Sequence, residues 1–504
     1  MRKQLLISAV LSAVLISGAA AAPVLAQETE AAKAAEGAKP IRVYTGMISD
    51  YEWSDDAGRY LAECSCPQVV LDKETASVYP ELAKAFHSLN VQKRQDAEET
   101  YQELLEEARE RFEEAPDYSG TYTDSETWKV IRADENVVSL FGLRTGYTGG
   151  AHGYETFSAV NYDPETGKEL KLSEIVTDEA AFRQEVKEDV YSSYEGIDEE
   201  LAEQYFNETA LDDMVWTAGY DGITCYFQAY TLGAYASGSQ TVLVPYEGNS
   251  MLSGRITTGI AKDYGIQFPL SHELKTADKT ITVFGDLSEY YSYASITICV
   301  NDATTVFDED IYTYSIEPTL IRVNGEDYLY LEGTSDNDYR MLDIYRITDT
   351  AERIGEISLA PSSIYVEEDD FTAYAAMTDP QDLLLSTRTQ LLSTASAERK
   401  YRVGEDGTPE AKEEYYRFAD NRTLTTKAEI SLEEVDQEGK STGNMTIPAG
   451  TKMTMLRTDN DTIVDLSLED GRIARVVLEK TDGFPHMVNG KDIEEIWDGI
   501  MFAG

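Results

Sequence analysis

One long helical stretch set between two blocks of strand-like sequence constrains the fold of this chain most. Pro80 opens it and Pro116 closes it, the places where proline starts and stops helices. Leu82, Phe86 and Leu89 share a helical face. After an expected break near Asn90, Tyr101, Leu104, Leu105, Ala108 and Phe112 recur at helical spacing. Glu and Arg crowd the outer face one turn apart, which supports a solvated helix. Upstream, residues 41–71 alternate and carry Val43, Tyr44, Met47, Tyr51, Trp53 and Tyr60, the pattern of two or three strands. Strands are expected to resume at 121–123, 128–133 and 137–143. A helix of this length between strands is most simply laid over a sheet. The first half is therefore read as α+β, with helices packed on a largely antiparallel sheet.

Residues 144–176 (RTGYTGGAHGYETFSAVNYDPETGKELKLSEIV) are the most distinctive stretch. A glycine-rich turn carries a histidine; a strand, a tight hairpin turn and a second strand are expected after it. Gly149, Gly150 and Gly153 permit positive φ and close backbone approach. They can hold the imidazole of His152 at a pocket rim beside Tyr147, Tyr154 and Glu155, with Glu155 placed to orient it as a base. Tyr147, Gly149, Gly150, His152, Gly153 and Glu155 are the candidate ligand-binding residues. The plainer alternative is an unusual turn tied together by the imidazole. No catalytic residue is assigned. The chain has no Gly-x-Ser-x-Gly elbow and no phosphate-binding Gly-Lys-Ser/Thr loop, and its 93 acidic residues single out no carboxylate pair. The four histidines, His87, His152, His272 and His486, lack metal-ligand spacing, so neither metal nor cofactor is expected.

Farther on, Thr177-Asp178 is placed to cap a helix with Phe182, Val186 and Val190 on one face, and a shorter helix is expected over 199–206. Strands return at 224–230 and 241–245. From about Leu252 helical periodicity nearly vanishes. Short apolar strands at 281–284, 295–300, 320–323, 328–331 and 341–347 suggest a meander forming a sandwich or propeller-like blades, and Val323-Asn324-Gly325 is a hairpin signal. Asp336-Asn337-Asp338 and Asp459-Asn460-Asp461 resemble hairpin turns more than calcium loops. Residues 381–396 are expected to be partly helical, and the short strands near the end suit a small barrel. The expected divisions are a leader (1–26), a linker (27–40), the two parts of an α+β module (41–143 and 144–248), a β-rich domain (252–380) and a mostly β C-terminal domain (381–504).

The leader reads as a secretory signal: Arg2 and Lys3, an apolar centre over 5–16, and Val24-Leu25-Ala26 before cleavage near Ala26. The expectation is a secreted protein with no stable membrane anchor after cleavage. Export permits disulfides, but Cys64, Cys66, Cys225 and Cys299 dictate no pairing. The net charge of −51 repels phosphate backbones and argues against nucleic acid. Nothing in the sequence sets an oligomeric state.

Tyr147 to Gly153, then Asn161-Tyr162-Asp163, Thr166-Gly167-Lys168 and Leu170-Lys171-Leu172, resemble the exported domain of RsiV-type anti-sigma factors. They equally resemble the non-catalytic N-terminal region of PdaC-type peptidoglycan deacetylases. Tyr226-Phe227 and Tyr230, then Gly233-Ala234-Tyr235-Ala236-Ser237-Gly238 and Val244-Pro245-Tyr246, look like the closing segment of the same domain. The resemblance covers about residues 41–248 and implies an extracytoplasmic α+β module; in RsiV-type proteins that module binds lysozyme. The chain departs from both architectures. It has no sigma-binding segment ahead of an internal span, and it lacks the deacetylase's Asp-Asp and His-x-x-x-His pattern. The function expected is envelope binding without catalysis, with peptidoglycan or an envelope-directed protein such as lysozyme as ligand. A carboxylate-dependent hydrolase of an extracellular polymer and a structural scaffold are the alternatives.

Overall fold

The computed structural model describes residues 37–288, 291–309, 311–479 and 486–503. The expected leader and residues 27–36 of the linker lie outside them. The first sheet has seven strands, in the order Ser363–Val366, Phe371–Ala375, Tyr44–Ser54, Arg59–Val70, Tyr122–Ala133, Val138–Tyr147, Tyr154–Tyr162. Two of them thus come from far along the chain. All neighbours are antiparallel except Arg59–Val70 and Tyr122–Ala133, which run parallel where Ala62 to Ser65 meet Tyr122 to Ser125. Parallel neighbours need a long crossover, and the 35-residue helix Pro80–Glu114 supplies it.

That helix is continuous through Asn90; the expected break does not form. The Asn90 side chain accepts from the Val69 N–H and donates to the Val69 carbonyl, both at 2.9 Å. An amide that competes with the helix in a peptide here ties the helix to a strand end. The expected strands at 121–123 and 128–133 are one strand, Tyr122–Ala133. Its side chains alternate: Glu126 and Trp128 meet Lys93 of the helix, while Thr127 and Lys129 face the opposite side.

Helices Glu179–Ser193 and Glu199–Glu208 cover a second, three-stranded sheet, Val215–Ala218, Gly222–Phe227 and Gln240–Pro245. Asp178 caps the first helix by accepting from the Ala181 N–H at 3.1 Å. Phe182, Val186 and Val190 are fully buried against Cys225, Phe227, Val242 and Val244. The second strand expected after Asp163 is absent. Glu169 makes a single bridge to Tyr162, and Leu172–Ile175 is a helical turn. Gly167, at φ +65°, passes so close to the long helix that a Cβ there would lie 2.3 Å from the Glu81 carbonyl oxygen, and the chain turns away rather than pairing.

The second half is layered β-structure. A five-stranded sheet (Ala351–Ile357, Tyr339–Ile347, Glu326–Ser335, Glu317–Val323, Tyr264–Gln267) is buried on both faces. Leu329 and Leu331 enter a core with Ile281, Val283 and Ile298 of a four-stranded sheet. Tyr328 and Tyr330 point the other way, into a core with Leu385, Ala397 and Tyr401. Burial on two faces explains why this strand reads as an unbroken apolar run. The Tyr330 hydroxyl stays satisfied by donating to the Gly407 carbonyl at 2.6 Å. Asn324 and Gly325, at φ 53° and 80°, make the expected hairpin turn. Asp459 is a turn residue whose carboxylate accepts from the N–H groups of Asp461, Thr462 and Ile463 at 2.8–2.9 Å.

Two expectations fail here. Residues 383–389 are a strand, not helix, because Leu383 and Leu385 alternate into the core beneath the five-stranded sheet. The terminal strands close no barrel: they join a twelve-stranded open sheet that ends at Ser441–Ile447. The class is otherwise as read, an α+β first half and a mostly β second half. Among the described residues no helix is long and apolar enough to cross a membrane, and the four cysteines are free thiols.

Candidate functional site

Strands Val138–Tyr147 and Tyr154–Tyr162 pair with Gly146 opposite Tyr154, so the glycine-histidine segment is the loop that joins them. Gly149 sits at φ +78°, and a Cβ on it would lie 2.6 Å from the Tyr122 hydroxyl. At Gly153 a Cβ would meet the Gly146 carbonyl oxygen at 2.7 Å. Both positions therefore require glycine. The loop is pinned from beneath: the Tyr147 hydroxyl donates to the Gly150 carbonyl at 3.0 Å and accepts from the Tyr118 hydroxyl at 3.2 Å. That hydrogen bond to Tyr147 is the main reason the Tyr118 phenol is pushed up to about 12.

His152 is exposed. Its Nδ1 lies 2.8 Å from the Gly153 carbonyl oxygen, and its ring stacks on Tyr235 at 4.2 Å between centroids and 17° between planes. Tyr235 begins the short turn Tyr235–Ser237 inside the Gly233–Gly238 stretch. Tyr230 lies 5.5 Å from it, at positive φ and 60% exposed. Two distinctive motifs far apart in sequence thus meet as one exposed ledge of three rings.

Glu155 is not part of that ledge. It leaves His152 and pairs with His272, Oε2 to Nε2 at 3.0 Å, while the other ring nitrogen of His272 meets the Leu270 carbonyl at 2.9 Å. Burial opposes charge on His272, but the Glu155 hydrogen bond and charge outweigh it, so its pKa is raised. The six sequence candidates therefore divide. Tyr147, Gly149, Gly150, His152 and Gly153 form one loop, and Glu155 belongs to a contact with the second half of the chain. Tyr230 and Tyr235 stand out in the sequence only as part of the closing segment and are not among its site candidates; His272 carries no sequence signal for the site.

Beneath the same sheet, on the helix side, lies a half-buried polar hub centred on the buried Asp124. Asp124 accepts from Arg144 at 2.7 Å and from the Tyr154 hydroxyl. Arg144 continues to Thr100 of the helix at 3.1 Å. Burial and the Asp124 hydrogen bond both push the Tyr154 phenol up, out of titrating range. Such groups hold strands and helix together and offer no accessible nucleophile. Cys64, beside Asp124, is likewise pushed up to about 12, chiefly by burial, and stays a thiol.

No curated protein matches the chain. Two solved structures of DUF3298 family members resemble it. One from Bacteroides fragilis NCTC 9343 is 18% identical, covers 44% of this chain and 98% of its own, and has a TM-score of 0.33. One from Pseudomonas aeruginosa PAO1 is 15% identical, with the same coverage and a TM-score of 0.32. Residues 163–247, which hold the three-stranded sheet and the Tyr235 turn, match the family described as "Protein of unknown function (DUF3298)".

Proposed function

We propose that this chain is an exported, non-enzymatic binding protein of the bacterial envelope, and that its ligand is a cationic envelope-directed protein such as lysozyme. The observation that carries this reading is the exposed His152–Tyr235–Tyr230 ledge on its glycine loop. Rigid aromatic rings presented to solvent are the commonest anchors of protein interfaces. The net charge of −51 attracts a basic partner to the chain and repels an anionic polymer. The resemblance of the Tyr147–Gly153 and Gly233–Gly238 motifs to the RsiV-type domain supports the same choice of ligand.

The test is retention of the mature chain on immobilised lysozyme and on insoluble peptidoglycan, with soluble fragment release assayed alongside. Retention on lysozyme, weakened by salt and by Tyr235→Ala, is expected. Retention on peptidoglycan alone would reassign the ligand. Fragment release would replace binding by hydrolysis.

A further inference from the structure

A second site lies away from the ledge, where the first sheet opens. Strands Arg59–Val70 and Tyr122–Ala133 pair only through Ser65 and Ser125; beyond that the second strand leaves its neighbour, and its Val130 N–H is taken by Gln267 at 3.0 Å. The gap, closed below by the five-stranded sheet, is a cleft of about 530 Å³, a size ordinary for small-ligand sites.

Its chemistry is specific. Glu317 and Glu332 stand directly opposite each other on neighbouring strands, an unfavourable pairing of like charges unless each is compensated. Each is: Lys129 reaches Glu317 from the first sheet, and Arg340 reaches Glu332 from the adjoining strand. Arg340 also lies over the Tyr374 ring, 3.7 Å from its centroid. The rest of the lining is largely hydroxyl and amide, from Thr45, Thr127, Ser315, Thr334, Thr372 and Gln267, with the exposed carboxylate of Asp338 as a further acceptor. The cleft therefore offers donors and acceptors in quantity with its main charges paired.

A track leads out of it. Strand alternation puts Thr45, Met47, Ser49, Tyr51 and Trp53 on one face of strand Tyr44–Ser54, with Thr45 and Met47 in the cleft. Ser49 meets Ser65 across the strands at 2.8 Å. Tyr51 and Trp53 pack edge-on against Tyr60 at 5.3 and 5.1 Å, and the three rings are 61%, 50% and 43% exposed. From Met47 to Trp53 the strand rises about 20 Å.

We infer that the cleft and this aromatic track form a binding site for a linear, uncharged oligosaccharide. Paired hydroxyl, amide and charged groups match a polyol, and ring faces match the apolar faces of sugar rings. A polyanionic glycan is disfavoured by the net charge of −51 and finds no free cation among Lys129 and Arg340. The site is independent of the protein ligand proposed above.

The test uses the mature chain and three soluble tetramers, of β-1,4-linked glucose, xylose and N-acetylglucosamine, titrated by calorimetry or NMR. At least one is expected to bind, and Thr372→Trp, which fills the cleft mouth from an exposed position, should weaken it by about tenfold or more. Tyr235→Ala should leave it unchanged. If Thr372→Trp disturbs the near-UV spectrum, the double variant Tyr51→Ala/Trp53→Ala, which removes only exposed rings, should still weaken binding by about fivefold. The inference is overturned if no tetramer binds at about 10 mM, if a sulfated tetramer binds more tightly, or if the folded variants bind like the parent.

Discussion

The exposed ledge around His152 and the buried contacts that join the two halves of the chain are built on opposite terms. On the ledge, rings face solvent and rest on a loop held by two tyrosine hydroxyls. At the seam, arginines are largely withdrawn from water and lie against carboxylates. Arg132, fully buried, bonds Asp134 through Nε at 2.7 Å and the carbonyls of Gly219 and Ile256 through Nη1 at 3.1 and 2.9 Å. Arg322 reaches across to Asp221 at 3.4 Å, and within its own half it bonds both oxygens of the buried Asp327, Tyr264 at 3.0 Å and the exposed Asp278 at 2.9 Å. The difference separates stability from recognition. Removing a seam group strands its partner in a dry interior, whereas removing a ledge ring exposes what is already wet.

The strongest challenge to that division is Asp134→Ala. It leaves the Arg132 guanidinium buried without its carboxylate, and loss of about 3–5 kcal/mol is expected in urea unfolding. A change of only a few tenths would make the seam no more essential than the ledge. His272→Ala comes next, with an expected loss of about 1–3 kcal/mol, and its signature is pH dependence. The folded pKa of His272 is raised. The Glu155–His272 contribution is therefore complete below the unfolded value of about 6.5 and disappears as pH rises through the folded one. The gap between parent and variant should be widest near pH 5 to 6 and narrow above neutrality; a gap that widens with pH would contradict the assignment. A smaller acid-side effect is expected at Asp278. Its burial is outweighed by hydrogen bonds from Lys279 and Arg322, which lower it to about 2. This contribution is present above the ordinary carboxylate value and fades as pH falls toward 2. Solvent screening keeps it below about 1 kcal/mol. Asp278→Ala should therefore cost this small amount across the neutral region and converge with the parent as pH falls toward 2, flattening the acid limb of the stability profile.

What could be read from sequence follows the same division. Local rules sufficed where neighbours in sequence decide structure: the Asp178 cap, the Phe182–Val186–Val190 face and the Asn324-Gly325 turn. The glycine-histidine loop was legible because glycine is needed where a Cβ would strike Tyr122 or Gly146. Asn90 misled because its role is set by Val69, a strand end brought to it only by the fold. Leu383 and Leu385 looked partly helical because their core is formed by strands distant in sequence. His272 was silent for the same reason, and so were Glu317 and Glu332, which become a pair only through strand register. Burial and register across long separations leave no local periodic trace.

The smallest stability effect is expected at the ledge, and it is the sharpest test of what the ledge is for. Tyr235→Ala removes the ring under His152 and the neighbour of Tyr230, both exposed, so the unfolding midpoint should move by no more than about 0.5 kcal/mol in free energy. Retention on lysozyme should fall about tenfold or more, as for loss of an interface anchor. His152→Ala should weaken retention less, because Tyr235 and Tyr230 still present their faces. If either substitution costs stability comparable to His272→Ala while retention is unchanged, the histidine and its stacked tyrosine are only a clasp on a turn. The motif would then mark the fold alone.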